Sequence, residues 1–220
     1  IDDTIHTMGI ASGLLSEVPD FKSQIIKLMN EYPGRNYGPR TLDWSKSKIA
    51  SDSFGNGSAM RVSAIACYFN DIESIQYWTN EATLISHTHP EALKGAQSIA
   101  ECIFLARNGL DKEEIRNYIS NKYHYNLNFT IKEIRGIYSF NPTCQGSVPQ
   151  AIVAFIDSND YESCIRNAIS IGGDADTLAC MSGGIAAAYY KFIPNTILNF
   201  VFNKLPSEFI KIINEDSFNE

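Results

Sequence analysis

Asp174 and Asp176 stand one residue apart, behind Gly172-Gly173 and ahead of Thr177. A lone acid in such a place caps the helix that follows by accepting from its free N–H groups. Two acids held side by side repel each other, and a cation relieves that repulsion. Asp-x-Asp-Thr offers oxygen donors only, which suit Mg²⁺, Mn²⁺ or Ca²⁺ better than zinc. On these residues alone, metal binding and capping both stay open. A second acid pair, Asp2-Asp3, adds weight to the metal, although acids in a first helical turn also complement the helix dipole. The glycine pair permits backbone angles closed to other residues, or a close approach by another segment.

Ser53-Phe54-Gly55-Asn56-Gly57-Ser58 is a second candidate. Glycines leading into a helix N-terminus leave N–H groups free at the positive end of a dipole, which suits an anion. An ordinary turn with Ser58 as cap accounts for the same residues. His87 and His89 form a His-x-His pair with no third nitrogen or sulfur donor near in sequence. That favours a capping or substrate-contacting histidine over a metal ligand. The five cysteines, Cys67, Cys102, Cys144, Cys164 and Cys180, show no CxxC spacing. Four fall in apolar helical patterns, and Cys144 falls in a loop-like segment. They read as thiols of a reducing, cytoplasmic setting, with neither a disulfide framework nor a zinc site.

The elements that must hold these residues read as helices. The glycine-aspartate motif feeds a run in which Leu178, Met181, Ile185, Ala188 and Phe192 share one face. Residues 1–18 carry Ile5, Met8, Ala11, Leu15 and Val18 at helical spacing. Pro19-Asp20 opens a second helix, which Pro33-Gly34 stops. Residues 33–57 form a long connection with a short helical turn near Trp44, and a helix from about Ala59 to Phe69 follows. Loops this long inside a compact domain are more often functional than filler. Further helices are expected over 71–86, 91–107 and 111–121, near 131–138, and over 147–156 and 160–171. Pro194 and Pro206 each open a terminal helix. No strand series and no internal repeat is visible, so the fold class is all-α: a compact single-domain helical bundle over 1–220.

Composition is that of an ordinary globular chain, with 44% hydrophobic and 20% charged residues. Net charge is −7 without a basic block, which excludes a nucleic-acid backbone footprint. An acidic chain that binds phosphate must do so locally, through a metal, a helix N-terminus or a few basic side chains. No apolar run reaches transmembrane length and no signal peptide opens the sequence. Neither nucleic acid nor membrane is expected as a partner, and monomer is the default.

Five stretches in order resemble the ADP-ribosylglycohydrolases: Asp2-Asp3-Thr4, GNGSAMR at 55–61, SHTHPEALKGAQ at 86–97, CQGSVPQAIVAF at 144–155 and AISIGGDADTLACMSGGIAAAYY at 168–190. The resemblance spans most of the chain and implies an all-α fold with two divalent cations, Mg²⁺ or Mn²⁺. It implies hydrolysis, by metal-activated water, of the glycosidic bond between ADP-ribose and an acceptor, either a protein side chain or a small conjugate. Carried over by motif, Asp2, Asp3, Asp174, Asp176 and Thr177 would be metal ligands, with Asp2 and Asp3 at the catalytic centre. Ser53, Phe54, Gly55, Asn56 and Gly57 would line the ADP-ribose cleft, the backbone holding phosphates and ribose and Phe54 lying near the adenine. His87 would contact the ADP-ribose. ADP-ribosyl-arginine, ADP-ribosyl-serine and O-acetyl-ADP-ribose remain equal candidates as substrate. Two departures accompany the resemblance: Ile1 stands where the family carries a Ser or Thr ligand, and the family's upstream helix with its acidic residue is not in this sequence. From these the expectation is a reduced metal site with weak hydrolysis. The alternative is an ADP-ribose-binding module without turnover.

Overall fold

The computed structural model describes residues 1–215 and residue 218. Thirteen α-helices are present among the described residues, with no named strand. They are α1 (Asp2–Leu14), α2 (Phe21–Glu31), α3 (Pro39–Ser47), α4 (Ser63–Tyr68), α5 (Ile72–Leu84), α6 (Pro90–Arg107) and α7 (Lys112–Tyr123). Then come α8 (Ile131–Ile134), α9 (Cys144–Ile156), α10 (Tyr161–Ser170), α11 (Ala175–Tyr190), α12 (Asn195–Phe202) and α13 (Ser207–Ile213). The all-α expectation is met.

Starts of helices follow the capping chemistry of the sequence. Asp20, Asp71, Asp111, Thr130, Thr143 and Asp160 each accept from an N–H of the first turn. Each satisfies one donor that the helix cannot pair internally. Two apolar cores result. One is centred on α6, α9 and α11 and buries Ile99, Ile103, Val148, Ile152, Phe155, Leu178 and Ile185. The other gathers α1 and α2 with Trp44, Ile65, Ala82 and Phe209.

Several boundaries differ from the sequence reading. The first helix ends at Leu14, and Val18 lies outside it and exposed. The expected helix over 59–69 is instead a 3-10 turn at Asn56–Ser58 followed by the short α4. The middle of the long connection forms α3, a full helix rather than a turn. It is pinned by a hydrogen bond from Trp44 Nε1 to the Ile85 carbonyl at 2.6 Å. Cys144 is not in a loop: Thr143 caps α9, so the thiol is buried on its first turn and Pro149 sits inside the helix rather than near its start. Pro149 forgoes one intrahelical bond there. α11 stops at Tyr190, and Phe192 is exposed rather than on the buried face.

The crossing of α1 and α2 sets where the first acid pair lies. Gly9 is the contact point: a Cβ there would meet Ile25 Cγ1 at 2.6 Å and Ile25 Cα at 2.9 Å. Backbone cannot yield as a side-chain tip can, so Gly9→Ala must push the helices apart. We expect it to lower the unfolding free energy by about 1–3 kcal/mol, the scale of overpacking, measured by urea denaturation. Unchanged stability would show that α1 shifts freely against α2.

Candidate active site

One cleft of about 600 Å³ runs between the N-termini of α1 and α11 and the segment 51–57. Asp2, Asp174, Asp176 and Thr177 line one side, and Ser53, Phe54, Gly55, Asn56, Gly57 and His87 line the other. The two acid pairs lie more than 170 residues apart in sequence and are neighbours in space, close enough for the charge on Asp176 to act on Asp2 and Asp3.

Asp3 is 2% exposed, and neither carboxylate oxygen has a hydrogen-bond partner. Thr177 lies alongside, its hydroxyl 3.9 Å from Met60 Sδ and near enough to Asp3 to ease its carboxylate in part. Burial first, and then the charge of Asp2, push the Asp3 carboxyl up to about 7. Burial also raises Asp2 and Asp174, each further raised by the charge of Asp176. Asp174 sits at the cap position of α11 but makes no capping bond. Its Oδ2 instead accepts from Asn56 Nδ2 at 2.7 Å, tying α11 to the opposite wall. Capping therefore does not explain Asp174. The chain reaches it through two left-handed residues, Gly172 (φ +73°) and Gly173 (φ +69°). At Gly173 the Tyr138 ring and the Ser139 carbonyl also leave no room for a Cβ.

The donors suit a divalent cation in their chemistry: they are all oxygens, crowded, and in Asp3 buried. Their assembly is less complete. Among the described residues, no three or more His, Cys, Asp or Glu side chains are grouped as a ready metal site.

The opposite wall is laced in place from both sides. Ser51 N–H donates to the Ser86 carbonyl (3.2 Å) and Thr88 N–H to the Ser51 carbonyl (3.0 Å). Asn56 N–H donates to the Pro142 carbonyl and Cys144 N–H to the Phe54 carbonyl, both at 2.9 Å. Backbone donors expected to face an anion are thus partly committed: Gly55 N–H goes to Ser53 Oγ (3.3 Å), Ser53 N–H to the Ser51 carbonyl (2.7 Å). Among the described residues no such bond outside the 3-10 turn holds the Gly57 N–H. Phe54 is about a third exposed and meets His89 edge-on, 5.3 Å between centroids. His89 caps α6 through Nδ1, accepting from Glu91 N–H at 3.1 Å. The two histidines thus divide the roles foreseen, His89 capping and His87 lining the cleft. Burial, followed by the charges of Arg61 and Arg40, pushes His87 down to about 3, so its ring is neutral.

Among the lining residues that the sequence did not mark are His6, Arg40, Trp44 and Arg61. Arg40 and Trp44 belong to a connection whose helix was not foreseen. Arg61 ends the GNGSAMR stretch and was in view, but nothing in its spacing marks a fully buried guanidinium. His6 lies one turn beyond Asp2, stacked on Tyr37 at 6.0 Å and without a partner for either nitrogen.

An all-α bundle with this cleft matches a solved structure described as an ADP-ribosylglycohydrolase-related protein complex. The TM-score is 0.72, at 22% identity over 90% of this chain and 75% of that one. The ADP-ribosylglycohydrolase family model matches residues 1–215, and the chain belongs to that family, an ADP-ribosylglycohydrolase-like hydrolase. Relatives include ADP-ribosylhydrolase ARH3 of Mus musculus, 25% identical over 86% of this chain and 69% of that protein. ADP-ribosylarginine hydrolase Tri1 of Pseudomonas putida is 27% identical over 62% of this chain and 38% of that protein. An uncharacterized protein of Archaeoglobus fulgidus is 24% identical over 88% of this chain and 72% of its own length. Among the described residues no helix is long and apolar enough to cross a membrane.

Proposed function

We propose that the cleft binds ADP-ribose joined to an acceptor, and that its acid cluster is an incomplete metal site which cleaves the glycosidic linkage only when Mg²⁺ or Mn²⁺ draws the acids together. The observation that carries this reading is the single cleft with an acid cluster on one wall and a glycine turn on the other. Family membership, and relatives named as ADP-ribosylhydrolase and ADP-ribosylarginine hydrolase, support ADP-ribose conjugates as the substrate class. The absence, among the described residues, of a closed ligand group favours binding ahead of metal over a preassembled two-metal centre.

In this reading Arg40, the Gly57 N–H and the His87 ring hold the diphosphate and ribose, and Phe54 offers its exposed face to the adenine. Asp2, Asp3, Asp174, Asp176 and Thr177 would hold the cations. Divalent cations, when bound, would make water a nucleophile near neutral pH and orient the ribose hydroxyls. Asn56 keeps Asp174 turned toward the turn, so that the acids face the ribose held on the opposite wall. We further read residues 1–220 as one domain acting as a monomer. A cytoplasmic location is supported by cysteines that are all unpaired.

Calorimetry with ADP-ribose, with and without chelator, tests the reading alongside release of ADP-ribose from a modified substrate. Expected are chelator-resistant binding and release that needs added Mg²⁺ or Mn²⁺. Binding without any release at saturating metal would leave a binding module only, and no binding would end the proposal. A Cβ at Gly57 would lie 3.7 Å from the His87 ring, so a larger side chain fits beside it but occupies the turn. Gly57→Val should weaken ADP-ribose binding by about tenfold or more, the scale of a charge-assisted hydrogen bond. Unchanged affinity in the folded variant would take this turn out of the site.

A further inference from the structure

We infer that Ser86 and Arg61 are positioning residues that hold His87 as the neutral tautomer with its proton on Nε2, presented to the Gly55–Gly57 turn as a ligand donor. The inference rests on the reading of the cleft as an ADP-ribose site. Its first part, the tautomer, is decided by the protein alone.

A guanidinium donates and never accepts. Arg61 is buried, and its Nη2 donates to the Ala82 carbonyl at 2.6 Å and to Ser86 Oγ at 2.8 Å. Ser86 Oγ is therefore an acceptor toward Arg61, and its own hydrogen is left to donate. Ser86 is 5% exposed, and its remaining partner is His87 Nδ1 at 2.7 Å. A proton on Nδ1 would make Ser86 accept twice and strand its hydroxyl hydrogen in a buried place, at the cost of an unmade bond. With Nδ1 accepting, the Ser86 hydroxyl accepts from Arg61 and donates to His87, so both of its hydrogen bonds are made. The imidazole proton then lies on Nε2.

Nε2 faces the turn. A Cβ built on Gly55 or on Gly57 would lie 3.7 Å from it, and no hydrogen bond within the protein engages it among the described residues. Burial first, and then the positive charges of Arg61 and Arg40, oppose protonation of the ring. His87 thus offers one fixed neutral N–H to a phosphate or ribose oxygen, beside the N–H of Gly57. The direction of that donor is set by a serine and an arginine that need not touch the ligand through the groups engaged in the relay. This assigns a role to the buried guanidinium that closes the GNGSAMR stretch.

Long-range ¹H–¹⁵N correlation of the imidazoles in ¹⁵N-labelled protein reads the tautomer directly, with His87 assigned by its loss in His87→Gln. The parent is expected to show the Nε2–H form of His87. Ser86→Ala should convert it to a mixture of tautomers and weaken ADP-ribose binding by about tenfold, the scale of one misdirected hydrogen bond. Ser86→Thr, which keeps a hydroxyl, should preserve both. An Nδ1–H form in the parent, or a tautomer unmoved by Ser86→Ala, would overturn the inference. The parent spectrum decides the tautomer even if Ser86→Ala does not fold. An Nε2–H parent that loses the form in Ser86→Ala yet never bound ADP-ribose would sustain the relay and sink the ligand reading.

Discussion

Asp3→Asn is expected to stabilise the cation-free protein at pH 8 and to abolish its thermal response to Mg²⁺ or Mn²⁺. Asp3 is buried, and both its oxygens lack partners, so its ionised form is costly in the folded chain. Its carboxyl is raised from the ordinary 3.8 to about 7, by burial first and then by Asp2. A carboxyl raised on folding contributes stability that is fully present below pH 3.8 and is lost as pH rises through about 7. That loss is on the order of 4 kcal/mol at pH 8, taking 1.36 kcal/mol for each pKa unit. Asn keeps the shape and removes the charge, while leaving a buried amide short of partners at a cost of about 1–3 kcal/mol. The net gain at pH 8 should therefore be about 1–3 kcal/mol, or several degrees in Tm for a chain of this size. At pH 4 the sign should reverse, since Asp3 is then protonated in the fold and only the cost of the under-partnered amide, about 1–3 kcal/mol, remains. Divalent cation should raise the Tm of the parent at pH 8 and leave that of Asp3→Asn unchanged. Scanning calorimetry at the two pH values, with chelator and with added metal, gives all four numbers. A variant less stable than its parent at pH 8 would mean that Asp3 is satisfied by contacts other than a cation.

The double variant Asp174→Asn/Asp176→Asn should lose ADP-ribose release by at least about 100-fold. Replacing groups that merely orient metal ligands costs 10–100-fold, and these two would be ligands themselves. The fold should persist for a specific reason. Asp174 makes no capping bond to α11, and the bond it does make, from Asn56 Nδ2, an amide oxygen can still accept. Helicity by circular dichroism should match the parent, as should ADP-ribose affinity in chelator. If the variant responds to Mg²⁺ or Mn²⁺ as the parent does, these two acids are not the metal site. If ADP-ribose affinity falls without metal, they contact the nucleotide instead.

Much of the architecture was legible because helices announce themselves locally. Apolar spacing marked the buried faces of α6, α9 and α11. Pro19-Asp20 marked the start of α2 and Pro90 that of α6, and prolines marked α12 and α13. The misread boundaries share one cause. At 59–69 the helix is delayed to Ser63, because the chain ahead of it is held in a 3-10 turn at Asn56–Ser58 by bonds such as that from Asn56 N–H to the Pro142 carbonyl. α3 has a sparse apolar face, and it is anchored by Trp44 reaching across to Ile85, a contact with no local signature.

For the site, residue type and spacing alone determined that Asp2-Asp3 and Asp174-Ala-Asp176-Thr177 are hard-oxygen donor sets, and that glycines at 55 and 57 open a turn able to face an anion. Such properties belong to side chains and to short pieces of backbone. Only the tertiary structure decided that Asp2 shares one cleft with Asp174 and Asp176 while Asp3 is buried, that Asn56 rather than a helix N-terminus takes Asp174, and which turn N–H groups are already committed. It alone set Arg61, Ser86 and His87 in one chain of hydrogen bonds. Each of these depends on which groups lose water together on folding, and hence on which donors must find acceptors across 25 to more than 100 residues of sequence.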